Sequence, residues 1–157
     1  MNGTYIAVLT GDLIRSRRLS LAERESVFEA MKVVGHNLLQ HLDAPVSGPH
    51  LFRGDSWQLM IGDARLALHA PFYIRAELIS RFAVDSRIGV GIGCIDTLPA
   101  EGLGTADGSA FRLSGAALDS LSRRETCRCL LQEAPFFHSA WINVALNYAA
   151  RYASQWS

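Results

Sequence analysis

The hydrophobic pattern is clearest near the start of the chain, where an unbroken apolar run meets an abrupt polar segment. The run, YIAVL at residues 5–9, is too short for an independent helix and is typical of a strand that is buried on both faces. Thr10, Gly11 and Asp12 follow it directly. The pattern therefore predicts a central strand that carries the carboxylate of Asp12 to one edge of a sheet.

The next pattern has the period of an amphipathic helix. Its apolar positions recur every three or four residues: Val27, Met31, Val34 and Leu38. Ser20 and Glu23 fit a capping box, in which Ser caps the first turn and the Glu side chain reaches back to it. We expect the helix to end near Leu42 and a loop to cover residues 43–49.

Two strand-like runs, at residues 50–53 and 56–61, are separated only by Gly54 and Asp55. A two-residue loop with Gly first is typical of a tight type II′ hairpin. Trp57 begins an alternating apolar face and is expected in the core rather than at a ligand. The hairpin places a second carboxylate, that of Asp55, in a turn.

A second helix and a glycine-rich strand follow the hairpin. Apolar residues of the helix recur every four positions: Leu66, Ala70, Ile74 and Leu78. Asp63 is a candidate cap, and Pro71 either kinks the helix or marks its true start. In the strand RIGVGIG (residues 87–93), glycines alternate with apolar residues. Glycine weakens a strand, so either a helix or a ligand must approach this face closely; helix packing is the favoured explanation.

The last third of the chain predicts a loop, a helix, a strand and another helix. Residues 96–106 form the loop, Asp107 caps the third helix, and residues 126–132 form a late edge strand. The fourth helix starts at His138, and its apolar positions are Ile142, Ala145, Leu146, Ala149, Ala153 and Trp156. This pattern is still running at Ser157, so we expect either a continuation of the chain or a terminus that docks on a partner.

This order of elements predicts an α+β fold, with a ferredoxin-like βαββαβ antiparallel sheet, helices on one face, and an extra C-terminal strand and helix. In that topology the first strand lies antiparallel to the third. The end of strand one then meets the start of strand three, which brings Asp12 and Asp55 to one edge. Carboxyl groups at opposite ends of the molecule, or one enclosed in a salt link, would exclude a shared site.

Two neighbouring carboxylates repel each other unless a cation lies between them. Oxygen ligands favour Mg²⁺ or Mn²⁺, and such metals orient and activate phosphoryl transfer. The segment after Asp12 adds candidate phosphate ligands, which are Arg15, Ser16, Arg17 and Arg18. The alternatives stay open: Asp12 as a turn cap, Asp55 as an ordinary hairpin residue and the arginines as a solvated loop.

Composition limits the possible partners. The 157 residues are 49% hydrophobic and 19% charged, as in one globular domain with a substantial core. The 15 basic and 15 acidic residues balance, so charge gives no evidence for a nucleic acid or an acidic membrane as a partner. No apolar run approaches membrane-spanning length, no signal peptide is evident, and the three cysteines are expected to be reduced, which predicts a cytoplasmic protein.

Four segments together resemble the SatD family of small bacterial proteins: TGDLI (residues 10–14), RGDSWQL (53–59), RIGVGIG (87–93) and GSAFRLSGAAL (108–118). That family is in turn similar to the class III nucleotide cyclase and diguanylate cyclase catalytic domain. The resemblance implies that Asp12, the main-chain carbonyl of Leu13, and Asp55 hold a divalent metal. It also implies a homodimer, since cyclase-like sites usually form between subunits, and a C-terminal helix-turn-helix beyond residue 157.

The chain departs from the cyclase pattern at two places. An Asn–Arg pair steadies the cyclase transition state, but the matching helix here has Arg112 and Ala116. The hairpin has Ser56 where diguanylate cyclases have a second acidic residue. The sequence therefore predicts a metal-dependent domain that binds a nucleotide or phosphorylated small molecule, with phosphoryl or nucleotidyl transfer as its reaction class and Arg112 as a candidate catalytic residue. The alternative is a non-catalytic regulatory or dimerisation module.

Overall fold

The computed structural model describes residues 5–42, 44–52, 54–97, 103–133 and 136–153. It contains five strands and four α-helices, in the order β1 (Ile6–Leu13), α1 (Leu21–Leu42), β2 (Val46–Phe52), β3 (Ser56–Ile61), α2 (His69–Phe82), β4 (Ser86–Gly93), α3 (Ser109–Asp119), β5 (Cys127–Leu131) and α4 (Phe136–Ala153). Short 3₁₀ turns cover Ser16–Arg18, Ala64–Leu66 and Leu103–Thr105.

The strands form one sheet in the order β2-β3-β1-β4-β5. Strand β1 lies at its centre and pairs antiparallel with both β3 and β4. Strand β5 is an edge strand that runs parallel to β4. The first six elements are therefore the predicted ferredoxin-like βαββαβ unit, with its two helices on one face, and the predicted α+β fold class is confirmed. Helix α3 follows this unit and precedes the expected extra strand and helix, β5 and α4.

Helices α1 and α2 cover one face of the sheet. Their inward residues are the apolar stripes that the sequence indicates, among them Val27, Met31, Val34, Leu38, Ile74 and Leu78, all buried in one core cluster with Leu9 and Leu13 of β1. The capping box forms as predicted: the main-chain N–H of Ser20 donates to Glu23 Oε2 at 2.7 Å. This layer covers the face toward which Leu13 points.

Helix α3 covers the opposite face, because Val8 of β1 packs with Ala110 and Phe111 of α3 in a separate cluster. The glycines of β4 face this helix. A methyl group on Gly89 or Gly91 would overlap main-chain atoms of α3. Close helix packing, the favoured explanation for the glycine-rich strand, is therefore what the structure shows.

Strand β2 starts earlier than predicted. It begins at Val46, within the expected loop, and a register shift separates Ser47 from His50. An edge strand with a bulge tolerates Pro49, because the missing N–H breaks no inner ladder. The hairpin prediction also needs correction. Phe52 pairs with Ser56, so three residues form the loop rather than two.

Two predicted helix caps differ from those observed. Asp63 caps the 3₁₀ turn Ala64–Leu66 by accepting from the N–H of Arg65, and α2 starts later, with Pro71 in its first turn. The cap of α3 is Gly108 rather than Asp107. The Asp107 carboxylate instead accepts from the N–H of Gly108 at 2.7 Å.

Helix α4 follows the edge strand β5 and buries Leu146 and Ala150. The predicted inward position Trp156 lies outside the described residues. Within the part of the chain that the structure describes, no helix is both long enough and apolar enough to span a bilayer.

Candidate functional site at the end of strand β1

The end of β1 is held between β3 and β4. Asp12 lies opposite Ser56 of β3 and opposite Arg87 of β4. The N–H of Leu13 donates to the main-chain oxygen of Asp55 at 3.1 Å. The topology thus brings the main chains of Asp12 and Asp55 to one edge of the sheet, as the connectivity predicts.

The carboxylate of Asp12 is bound by Arg87. Arg87 Nη2 lies 2.6 Å from Asp12 Oδ2, and Nε lies 3.1 Å from Oδ1. The hydrogen bond to Asp12 raises the pKa of the Arg87 guanidinium, so this group stays charged. The ion pair is accessible: 26% of the Asp12 side chain and 40% of the Arg87 side chain are exposed. Asp12 is therefore paired but is not enclosed.

The carboxylate of Asp55 has a different partner. Its Oδ2 accepts a hydrogen bond from the hydroxyl of Ser16 at 2.6 Å. Ser16 is buried and begins the 3₁₀ turn that follows β1, after Arg15 in the left-handed conformation (φ 63°). Arg24 of α1 donates from Nε to the main-chain oxygen of Ser16 at 3.2 Å. Ser16, a predicted phosphate ligand, therefore positions the hairpin carboxylate.

The predicted basic segment is only partly engaged. Arg15 and Arg18 are exposed, and in the described ranges no hydrogen bond or ion pair involves their side chains. The side chain of Arg17 lies outside the described part. The segment that follows β1 thus carries two exposed cationic side chains without a partner in the described ranges.

Arg112, the candidate catalytic residue, is not brought to this edge. Its guanidinium binds Asp107 at 2.8 Å and Asp96 at 3.3 Å. Both partners follow the C-terminal end of β4, whereas Arg87 lies at its start. The intervening strand is about 20 Å long, so Arg112 belongs to the other end of the sheet.

A buried network beneath Asp12 was not anticipated from the sequence. Ser86 Oγ lies 2.7 Å from the main-chain oxygen of Asp12 and accepts a hydrogen bond from Trp57 Nε1 at 3.1 Å. Both side chains are fully buried, which confirms Trp57 as a core residue. The Asp85 carboxylate accepts from the Ser86 N–H and makes a bidentate pair with the buried Arg75 at 2.7 and 2.8 Å.

The partner of the Asp12 carboxylate could have been predicted from the sequence. The topology that places β1 beside β3 also places it antiparallel to β4, so a residue at the start of β4 must meet the end of β1. That residue is Arg87. The burial of Arg75 and its pairing with Asp85 had no such signal, because neither hydrophobic period nor connectivity specifies a polar contact between a helix and a loop.

The donor set at this edge suits a hard divalent cation only after a rearrangement. No cluster of three or more His, Cys, Asp or Glu side chains able to hold a metal occurs in the described ranges. The edge instead offers two carboxylates and main-chain oxygens, which are ligands of the type that Mg²⁺ and Mn²⁺ bind. The guanidinium of Arg87 occupies the position next to Asp12 that a metal ion would take, and it shows that this carboxylate binds a positively charged group.

Comparison with known proteins supports the fold. No family model and no curated protein matches the sequence. Solved structures do match. A bacterial light-regulated adenylyl cyclase superposes with a TM-score of 0.59 at 11% identity, over 82% of this chain and 77% of that chain. The catalytic core of a rhodopsin-guanylyl cyclase in complex with ATPαS gives 0.58 at 13% identity, over 75% and 73%.

A third match is the dimeric guanylyl cyclase domain of the RhoGC fusion protein from the aquatic fungus Blastocladiella emersonii. It gives a TM-score of 0.57 at 14% identity and covers 75% of this chain and 74% of that chain. At these identities the matches concern the fold alone, and membership of the SatD family stays a prediction. The chain has the fold of the adenylyl and guanylyl cyclase catalytic domains.

Proposed function

We propose that the end of β1 binds a nucleotide or another phosphorylated small molecule together with Mg²⁺ or Mn²⁺. Asp12, the main-chain carbonyl of Leu13, and Asp55 would hold the metal, while the segment from Arg15 to Arg18 would contact the phosphates. The observation that supports the proposal is that the main chains of Asp12 and Asp55 meet at one edge of a cyclase fold, and that two exposed, unengaged arginines follow Asp12 in the chain. One similar structure holds ATPαS.

The chain's own groups have separable tasks in this proposal. Ser16 orients Asp55, and the buried pair of Ser86 and Trp57 fixes the main chain of Asp12. Arg15 and Arg18 supply charge-assisted hydrogen bonds to phosphate oxygens. When bound, a divalent metal would neutralise phosphate charge and orient the phosphoryl group.

The proposed role of the site is binding, and any reaction there would be phosphoryl or nucleotidyl transfer. The sequence lacks the Asn–Arg pair of the cyclases. Within one chain, the guanidinium of Arg112 is paired with Asp96 and Asp107, at the end of β4 opposite to Asp12. Cyclisation is therefore not part of the proposal.

The test is a thermal-shift titration with Mn²⁺, alone and with ATP or GTP. A ligand at one hundred times its Kd stabilises the folded state by about 2.7 kcal/mol, which is readily measured as a rise in Tm. We expect the rise to be lost in Asp12→Asn and Asp55→Asn and kept in Asp119→Asn, a control at an exposed carboxylate at the end of α3. No shift at millimolar ligand, or an equal shift in Asp12→Asn, would contradict the proposal.

A second candidate function, assembly of a homodimer, is favoured by α4. Four large apolar side chains form a stripe on its outer face, each between half and three quarters exposed: Trp141, Val144, Tyr148 and Tyr152. Their spacing of three and four residues places them on one side of the helix. The only charged residue of this helix is Arg151.

The occupant we propose for this stripe is a second copy of the chain. Aromatic side chains cover roughly 150–250 Å² each, so the stripe exposes on the order of 500 Å² per chain. Two copies packed symmetrically would bury about 1,000 Å², the lower limit for a specific interface. A two-fold axis lets one stripe serve both sides of the contact.

Sedimentation velocity tests this assembly. We expect dimers at tens of micromolar protein and monomers for the double variant Trp141→Glu, Tyr148→Glu. The control is Leu21→Glu, which replaces an exposed apolar residue on α1 and should leave the dimer intact. A wild-type chain that stays monomeric at 100 µM, or a double variant that remains dimeric, would exclude this interface.

A further inference from the structure

The contact between Asp12 and Arg87 differs from the other bidentate pair nearby. Arg75 and Asp85 form a pair in which the arginine side chain is only 3% exposed, and Asp85 also accepts from the Ser86 N–H. Arg87, by contrast, is 40% exposed, and its guanidinium contacts only Asp12 within the described part of the chain. Its departure from Asp12 would break no other bond.

The main chain on both sides of this contact is fixed. Asp12 is paired with β3 and β4, and Ser86, directly before Arg87, is fully buried against Trp57. Only the two side chains are free to rearrange. The arginine stem has several rotatable bonds, so the guanidinium can move a few ångström while β4 stays in place.

Both oxygens of Asp12 are used by the guanidinium, and a divalent cation needs at least one of them. Metal and Arg87 therefore compete for one carboxylate. A metal that arrives alone displaces Arg87 into solvent, with no new anion to bind. A metal that arrives with phosphate supplies such an anion, and a guanidinium binds phosphate oxygens as well as it binds a carboxylate.

We infer that Arg87 is an exchangeable cation, which leaves Asp12 when a metal–phosphate complex binds and then contacts the phosphate. The inference rests on the proposed function and assigns to Arg87 the role of a phosphate ligand and a selector against metal alone. Metal and phosphate should therefore bind cooperatively. The metal releases Arg87 for the phosphate, and the phosphate replaces the contact with Asp12 that Arg87 loses.

The decisive variant is Arg87→Gln, which removes the charge and keeps a polar side chain. We expect Mn²⁺ alone to bind this variant more tightly than wild type, by roughly five-fold or more, as measured by electron paramagnetic resonance of free Mn²⁺. We expect preformed Mn²⁺–ATP and Mn²⁺–GTP to bind it more weakly, as measured by calorimetry. These opposite changes distinguish an exchanging ligand from a residue that only supports the fold.

Two further variants serve as controls. Arg87→Lys keeps the charge but loses the bidentate geometry, and both of its affinities should lie between those of wild type and Arg87→Gln. Arg81→Gln removes a half-exposed arginine that is paired with Glu77 on α2, and it should change neither affinity. Equal melting temperatures establish that the variants are folded.

The outcomes separate the inference from the function on which it rests. Equal Mn²⁺ affinity in wild type and Arg87→Gln, lost in Asp12→Asn, would overturn the exchange and leave the metal site standing. Absence of binding of Mn²⁺ and of both Mn²⁺–nucleotides in wild type and Arg87→Gln alike would overturn the proposed function itself. Tighter binding of Mn²⁺ alone together with weaker binding of the Mn²⁺–nucleotides in Arg87→Gln would support both the exchange of Arg87 and the proposed function.

Discussion

At the scale of single residues, burial decides how much an arginine–carboxylate pair contributes to the stability of the fold. Arg75 is enclosed between α2 and the start of β4, and its carboxylate partner Asp85 also holds the N–H of Ser86. Arg87 makes the same bidentate contact in a half-exposed position. Removing one partner of a buried pair leaves an uncompensated charge, whereas a surface pair competes with water.

The same substitution at both positions measures this difference. Arg75→Met should lower the free energy of unfolding by about 2–4 kcal/mol, since it leaves Asp85 without its counter-charge next to the core. Arg87→Met should cost less than about 1 kcal/mol. Urea denaturation at neutral pH gives both values. Equal losses in the two variants would show that the difference in burial has no energetic effect.

Glu125 gives a residue-scale prediction about pH. Hydrogen bonds from Arg128 and from the Ser122 N–H lower the pKa of its carboxyl group from 4.5 to about 2. Because the folded pKa lies below the unfolded one, the stabilising contribution is complete above about pH 4.5 and is lost as the pH falls toward 2. Glu125→Gln should therefore be less stable than wild type at pH 7.

The difference in the free energy of unfolding between wild type and Glu125→Gln should decrease as the pH falls from 5 to 2. Denaturation curves at several pH values measure this difference. Arg128→Gln should weaken the same acid dependence, because it removes the strongest donor to this carboxylate. A stability difference between wild type and Glu125→Gln that stays constant down to pH 2 would contradict a lowered pKa of Glu125.

At the scale of elements, α3 packs closely against β4. Gly89 and Gly91 bring the strand against the main chain of the helix, and a buried hydrogen bond of 2.7 Å joins Thr10 of β1 to Ser114 of α3. Glycine costs a strand stability, which the fold recovers through contact between the two backbones. The glycines of β4 therefore serve the packing of the fold rather than a ligand.

Alanine at two glycines tests this packing. Gly91→Ala places a methyl group against the main chain of α3 and should destabilise the fold by about 1–3 kcal/mol or more. Gly115→Ala, on α3 itself, meets no atom within 4 Å and should stabilise it by about 0.5–1 kcal/mol. Thermal and urea unfolding compare the two. A tolerated Gly91→Ala would mean that α3 packs more loosely than described.

At the scale of the whole molecule, β1 is the strand on which both layers are built. Its side chains alternate between the α1–α2 face and the α3 face, and it is paired on both edges. In the described sheet, β2 and β5 are each paired with one strand only, and at the outer edge of β5 the side chain of Asn143 bonds the main chain of Cys129. Local opening is expected where fewer bonds must break.

Native-state hydrogen exchange should be slower in the central strand β1 than in the edge strands. Amides of Val8, Leu9 and Thr10 in β1 and of Val90 in β4 should exchange most slowly, at rates set by global unfolding. Amides of β2 and β5 should exchange faster, through local opening at the sheet edges. Faster exchange in β1 than in β2 would contradict the central position of β1.

Local periodicity accounts for much of what could be predicted. Helix α1 and strand β4 appeared near their true limits, because an apolar stripe or an alternation is a property of neighbouring residues. Strand β2 was shortened and its hairpin loop misjudged, because an edge strand with a bulge takes its register from β3. The cap of α3 shifted from Asp107 to Gly108 for a similar reason: the approach of the chain to Cys94 decides which residue precedes the first turn.

The sequence by itself determined the order of the elements, and the order determined the topology, since the connectivity leaves few ways to pair four strands. The arrival of Asp12 and Asp55 at one edge followed from that alone. Only the tertiary structure decided their partners, Arg87 for the first and Ser16 for the second. Such contacts depend on the register between strands distant in the chain, on rotamers and on burial, and none of these leaves a periodic trace in the sequence.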